Sequence, residues 1–118
     1  MLSDAIYHNP RCSKSRATLA LLQERGLEIP VIEYLKDPPA PTTLLAICQA
    51  LECSPLQLMR IKEPLFKTLG LSKQDQRPLN EWCQLMHDHP SLIERPIVVY
   101  KGKAALGRPP ENVLALLD

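Results

Sequence analysis

The stretch that decides the fold is Ala5-Ile6-Tyr7-His8-Asn9-Pro10-Arg11-Cys12-Ser13-Lys14-Ser15-Arg16. Ile6 and Tyr7 end a brief buried strand, Asn9 and Pro10 turn the chain, and from Ser13 an alanine- and leucine-rich segment begins with helical spacing. Cys12 therefore falls where a strand hands over to the first turn of a helix. The first four backbone N–H groups of a helix lack internal partners and carry the positive end of its macrodipole, so a thiol placed there ionises more readily. Cysteines in such positions titrate at roughly 3.5 to 7.5 instead of near 8.5, and Arg11, Lys14, Arg16 and a charged His8 would act in the same direction. The same N–H groups can hold a tetrahedral oxyanion. Cys12 is thus a candidate nucleophile facing an anion cradle.

Prolines mark the element boundaries outward from this stretch. After a strand over about 4–8, the helix from Ser13 runs to Arg25 and stops at Gly26, a natural C-terminal cap. Pro30 opens a short strand, Val31 to Leu35, and completes a β-α-β unit with parallel strands. Asp37 to Pro41, with three prolines, leads into a run of helices: about 41–52; about 55–60, announced by Ser54, Pro55 and a capping-box Gln57; about 64–69, ending at Gly70; and about 78–88, ending before Pro90. Ile97 to Tyr100 and Lys103 to Leu106 flank Lys101-Gly102, which reads as the two-residue turn of an antiparallel hairpin. A last helix covers Glu111 to Leu117. The order implies one mixed α/β domain over 1–118, a four-stranded sheet flanked by helices.

Composition narrows the function. A chain of 118 residues can bury one core without disulfides or metals, and a net charge of +1 gives no reason to invoke nucleic acid or an anionic membrane. Apolar runs such as Leu44 to Cys48 are short, and Asp4 stands where a signal peptide would be hydrophobic, so a cytoplasmic protein is expected. Of the four cysteines no two form a C-x-x-C pair, which fits neither a disulfide framework nor a four-cysteine zinc site. Cys48 and Cys83 sit among apolar neighbours and read as small core residues. Cys83, His87 and His89 lack a fourth ligand or an orienting carboxylate, so no metal is expected.

Five strings then carry a resemblance: Tyr7-His8-Asn9-Pro10-x-Cys12-x-x-Ser15-Arg16; Tyr34 to Pro39; Leu58-Met59-Arg60 with Glu63-Pro64; Glu94-Arg95-Pro96-Ile97-Val98-Val99; and Gly107-Arg108-Pro109. In this order and at these separations the chain resembles the glutaredoxin-linked arsenate reductases, the ArsC family, over about residues 5–117. The resemblance implies a thioredoxin-like fold with a helical insertion between the second and third strands, and a cis proline at Pro96. It implies Cys12 as the nucleophile, His8 near the thiol and aiding its ionisation, and Arg60, Arg95 and Arg108 holding the oxyanion. Ser15 offers a hydrogen-bond donor to the thiolate. A guanidinium presents a charged planar fork that suits arsenate, so the residue types fit the assignment.

The position three after Cys12 is Ser15, so the chain cannot resolve a disulfide there by itself and an external thiol must finish the cycle. The resemblance names it as glutathione, a co-substrate, with glutaredoxin reducing the resulting mixed disulfide. No bound cofactor is implied, and a monomer is expected. Regulators of the Spx type, which share this fold and bind RNA polymerase, are the alternative, and typically carry C-x-x-C where this chain has Cys12 and Ser15. A thiol oxidoreductase for another oxyanion is a further alternative. A phosphatase of the C-x5-R kind would need arginine at position 18, where Thr18 stands.

Overall fold

The computed structural model describes residues 2–117. Within the span read as one domain, the contacts group into two compact units: residues up to Asp37 together with those from Arg95 onward, and Pro38–Glu94.

The first unit is the sheet. β1 (Ala5–His8) lies next to β2 (Val31–Glu33) and β3 (Ile97–Tyr100), with β4 (Lys103–Leu106) outermost, giving the order β2-β1-β3-β4. β1 and β2 are parallel, as a strand–helix–strand connection requires, while β1–β3 and β3–β4 are antiparallel. Helix α1 (Ser13–Glu24) and a C-terminal 3-10 segment, Pro110–Leu117, supply the apolar partners of the sheet. Ile6, Leu22, Val98, Val113 and Leu116 form their shared core, flanked by Leu19, Leu27 and Ile29. Each such side chain contributes about 1.5–3 kcal/mol by leaving water. The β3–β4 turn is of the two-residue type: Lys101 and Gly102 both take positive φ, 51° and 78°, and Asp4 Oδ1 accepts from the Lys101 N–H at 2.9 Å.

The boundaries differ from expectation where backbone groups find other partners. β2 stops at Glu33 instead of Leu35, because the Glu33 carbonyl accepts from the N–H groups of Lys36 and Asp37 and turns the chain. The last segment winds as 3-10 helix and not as the α-helix expected over Glu111 to Leu117.

The second unit is helical: α2 (Pro41–Leu51), a 3-10 turn at Pro55–Leu58, α3 (Pro64–Thr68), α4 (Leu79–Asp88) and a 3-10 turn at Pro90–Leu92. Leu44, Ile47 and Cys48 of α2 and Trp82, Cys83 and Met86 of α4 are buried at helical spacing, and the two helices pack together. The capping box at Ser54 forms as read, with Gln57 Oε1 accepting from the Ser54 N–H at 2.8 Å. The helix it opens is one 3-10 turn and does not reach 60. Met59 instead pairs with Ile93 in an isolated bridge, and the Arg60 N–H donates to Leu92 O at 2.7 Å.

α2 ends without glycine. Glu52 takes the left-handed conformation (φ 55°, ψ 42°), while the Cys53 N–H bonds back to Cys48 O and the Glu52 N–H to Gln49 O. This is a Schellman ending, whose left-handed residue is usually glycine because a side chain there is disfavoured. Glu52→Gly is expected to raise unfolding stability by about 0.5–1 kcal/mol, read as a higher urea midpoint at unchanged slope; a lower midpoint would show that the Glu52 side chain outweighs the backbone preference.

Candidate active site

The turn that presents the thiol holds itself in place. Asn9 is the first residue and Pro10 the second of a β-turn closed by the Cys12 N–H donating to Asn9 O at 3.0 Å. Asn9 Oδ1 accepts from the Arg11 N–H at 3.0 Å, an Asx turn, and Arg16 Nη1 donates to Pro10 O at 3.0 Å. Cys12 emerges as the N-cap of α1, with extended backbone (φ −95°, ψ 124°) and its carbonyl accepting from the Arg16 N–H. It is half-buried.

Strand register brings the second half of the site. Tyr7 pairs with Ile97 across β1 and β3, so the end of β1 that leads into the Cys12 turn lies beside the start of β3, where Arg95 and Pro96 enter. The Arg95–Pro96 peptide is cis, as the resemblance implies, and so is Arg108–Pro109. Gly107 continues the β3–β4 ladder by donating to Pro96 O at 3.0 Å, which places Arg108 near Arg95. Arg108 Nη1 donates to Arg95 O at 3.2 Å, and the Arg108 carbonyl accepts from Asn112 Nδ2 at 3.0 Å.

Several forces compete at Cys12. Burial is the largest and pushes the thiol pKa up, but the Ser15 N–H, the Arg95 charge, the Lys14 N–H and a hydrogen bond from the Arg95 side chain together hold it below the ordinary thiol value. The cation that lowers it is Arg95, distant in sequence. The amides of the first helical turn act as the sequence suggested.

His8 and Ser15 bond to each other. Ser15 is fully buried; its Oγ accepts from the Asn9 N–H at 3.0 Å and lies 2.6 Å from His8 Nδ1. With one acceptor position used by the amide, the hydroxyl proton points to Nδ1, and a neutral ring protonated on Nε2 satisfies both groups. The His8 pKa agrees: burial lowers it, the Glu33 carboxylate opposes this, and Arg16 lowers it further, so the imidazole is neutral at pH 7. The charged His8 of the sequence reading is corrected accordingly. Ser15 likewise lowers the Cys12 pKa through its backbone N–H, while its hydroxyl is occupied by Asn9 and His8.

Arg60 belongs to the helical unit, where Nη2 lies 3.1 Å from Glu63 Oε2 and Nη1 donates to Ser91 O at 3.3 Å. His87, considered with Cys83 and His89 as a metal ligand, places Nδ1 3.0 Å from Pro39 O. The other thiols are poor nucleophiles. Burial, and then the neighbouring Cys53 and Cys83, push Cys48 up to about 12, while Cys53 and Cys83 are also raised by burial.

Removing the Ser15 hydroxyl would strand the Asn9 N–H and His8 Nδ1 in a buried site, so Ser15→Ala is expected to cost about 1–3 kcal/mol in urea unfolding. A change within error would show that solvent replaces both bonds. His8 adds a pH dependence. Its folded pKa lies below the unfolded one, so its contribution is whole above about pH 6.5 and is lost as pH falls below that value. Wild type should lose more stability between pH 7 and the acid side of that window than His8→Asn does, and equal losses would contradict the assignment.

The family model of the ArsC family matches residues 7–116. An arsenate reductase of Neisseria meningitidis is 47% identical over 113 residues, covering 95% of this chain and 96% of its own length. The solved structure of an arsenate reductase from Vibrio cholerae superposes with a TM-score of 0.89 at 46% identity, covering 98% of both chains. A Yersinia pestis structure reaches the same TM-score of 0.89 at 51% identity, covering 96% of this chain and 99% of that one. With this coverage, and with the four-stranded mixed sheet and flanking helices of its structural neighbours, the chain belongs to the ArsC family.

Proposed function

We propose that the chain is an arsenate reductase that acts in the cytoplasm through one nucleophilic cysteine, Cys12, with glutathione as co-substrate and glutaredoxin as the final reductant. The observation that carries this reading is the Cys12 thiol at the N-terminus of α1, drawn below its ordinary pKa by two helix amides and by the Arg95 guanidinium that hydrogen-bonds it. The arsenate reductases among its relatives support the substrate class.

Arsenate at neutral pH is a tetrahedral anion with one or two negative charges. The α1 amides and Arg95 provide donors where its oxygens would approach, and Arg108, carried beside Arg95, adds a second guanidinium to the same corner. The Cys12 thiolate attacks arsenic, a protonated oxygen leaves as water, and a sulfur–arsenic bond forms. Glutathione thiolate then attacks the Cys12 sulfur. The electron pair of the sulfur–arsenic bond passes to arsenic, which leaves as arsenite, and a Cys12–glutathione disulfide remains. The two electrons that reduce arsenic thus come from forming a disulfide. Glutaredoxin exchanges that disulfide and restores the Cys12 thiol. An external thiol is needed because Ser15 replaces the resolving cysteine of a C-x-x-C enzyme, and Cys48, Cys53 and Cys83 are held protonated.

Coupled arsenate turnover with glutathione and glutaredoxin tests the reading. Cys12→Ser should lose essentially all activity, and Arg95→Ala should lower kcat/KM for arsenate by about a hundredfold. Arg77→Ala, in a loop where Arg77 pairs with Asp75 and lies over Trp82, should match wild type. An inactive wild type, or an active Cys12→Ser, would overturn the proposal.

A further inference from the structure

Thr18 is the one fully buried polar residue of α1 besides Ser15. Its Oγ1 donates back to Lys14 O at 2.7 Å, and Gly107 O lies 3.5 Å from the same atom. Thr18 is thereby fastened to the helical turn whose Lys14 and Ser15 amides face Cys12, and at the same time abuts the end of β4. Gly107 stands opposite with no side chain. A Cβ built there would collide with Thr18 Oγ1 and lie 2.8 Å from Pro96 Cγ. Neither obstacle is the loose end of a flexible chain: one is a short branched side chain with no exposed surface, the other a proline ring. The glycine is required by close approach, since its φ is not in the left-handed region.

The contact closes a circuit around the thiol. From Lys14 it runs to Thr18, across to Gly107, and by the Gly107 N–H to Pro96 O, one residue from Arg95; Arg108, next to Gly107, bonds back to Arg95 O. Both sets of groups that face the Cys12 sulfur, the first-turn amides and the Arg95 guanidinium, hang from opposite sides of this seam. The Tyr7–Ile97 register sets only the level of the strands.

We infer that Thr18 and Gly107 are positioning residues for the anion site, and that their contact sets the distance between the first turn of α1 and Arg95. Neither touches the substrate; they act through Lys14, Ser15 and Arg95. Widening the seam by the width of a methyl group would draw Arg95 away from the thiol while leaving every group that contacts the anion in the chain. The inference rests on the proposed function only for the identity of the anion.

Two readouts keep those apart. The pH dependence of Cys12 alkylation by iodoacetamide, with Cys12→Ser as the blank, reports the thiol without any substrate, and protection of Cys12 by inorganic arsenate reports the anion. Gly107→Ala is expected to shift the alkylation midpoint up by roughly one pH unit and to weaken arsenate protection by about tenfold or more. Gly107→Ala combined with Thr18→Ala should recover part of both, since the new methyl group then has the space Thr18 vacates and only the Pro96 ring still crowds it. Thr18→Ala alone removes the spacer instead of crowding it, and serves if Gly107→Ala does not fold; it should shift both readouts in the same direction in a folded protein. Wild-type midpoints and protection in folded Gly107→Ala or Thr18→Ala would overturn the inference, as would a double variant no better than Gly107→Ala. Absence of arsenate protection in the wild type would instead count against the proposed substrate, with the alkylation midpoints still deciding the role of the seam.

Discussion

The structure is built around the partial burial of a thiol, whose ionisation burial by itself opposes. Burial alone would raise the Cys12 pKa, and it is the largest single influence on that group. What reverses it is a set of donors that cost no reorganisation when charge appears, because they are fixed in place: two amides that a helix start leaves without internal partners, and one guanidinium. Fixed donors need a rigid frame. The frame is the strand pair β1–β3, whose register brings the Cys12 turn and the Arg95–Pro96 entry to the same end of the sheet, and the core of Ile6, Leu22, Val98, Val113 and Leu116 that holds α1 on it.

A short hydrogen-bonded relay lies beside Cys12 in the chain. His8, Ser15 and Asn9 form a short relay in which a buried hydroxyl accepts from a backbone amide and gives its proton to an imidazole. The relay fixes the turn before α1, so that the Lys14 and Ser15 amides face outward at Cys12. His8 and Ser15 are buried, and a neutral imidazole suits that position better than a charged one. With burial and Arg16 holding the imidazole neutral, the positive charge that lowers the Cys12 pKa comes from Arg95.

Much of this was legible in the sequence because local chemistry enforces it. Asn9-Pro10 can only turn, Gly26 and Gly70 end helices in the left-handed conformation, and Lys101-Gly102 closes a hairpin with two positive φ values. The position of Cys12 at a helix start followed from these local signals alone. What was not legible depended on tertiary partners. The 3-10 turn at Pro55–Leu58 is cut short by pairing of Met59 with Ile93, and β2 is shortened by a turn on the Glu33 carbonyl. Glu52 carries a left-handed helix ending with no glycine to announce it. The neutral state of His8 is set by burial and Arg16 against the pull of Glu33 across the strand pair, and the fit of Gly107 against Thr18 joins residues far apart in the chain. The family resemblance pointed to Arg95 without giving the reason, which is the antiparallel register of β1 and β3.

The central claim is that Cys12 ionises below the ordinary thiol range because fixed amides and Arg95 outweigh its burial. It is tested most directly by following thiolate ultraviolet absorbance against pH in the wild type, with Cys12→Ser subtracted, and repeating the titration in Arg95→Ala. The account predicts a wild-type midpoint below the free-cysteine value of about 8.5 and a higher midpoint without the guanidinium. A wild-type midpoint at or above the free value, or one that Arg95→Ala leaves in place, would contradict it.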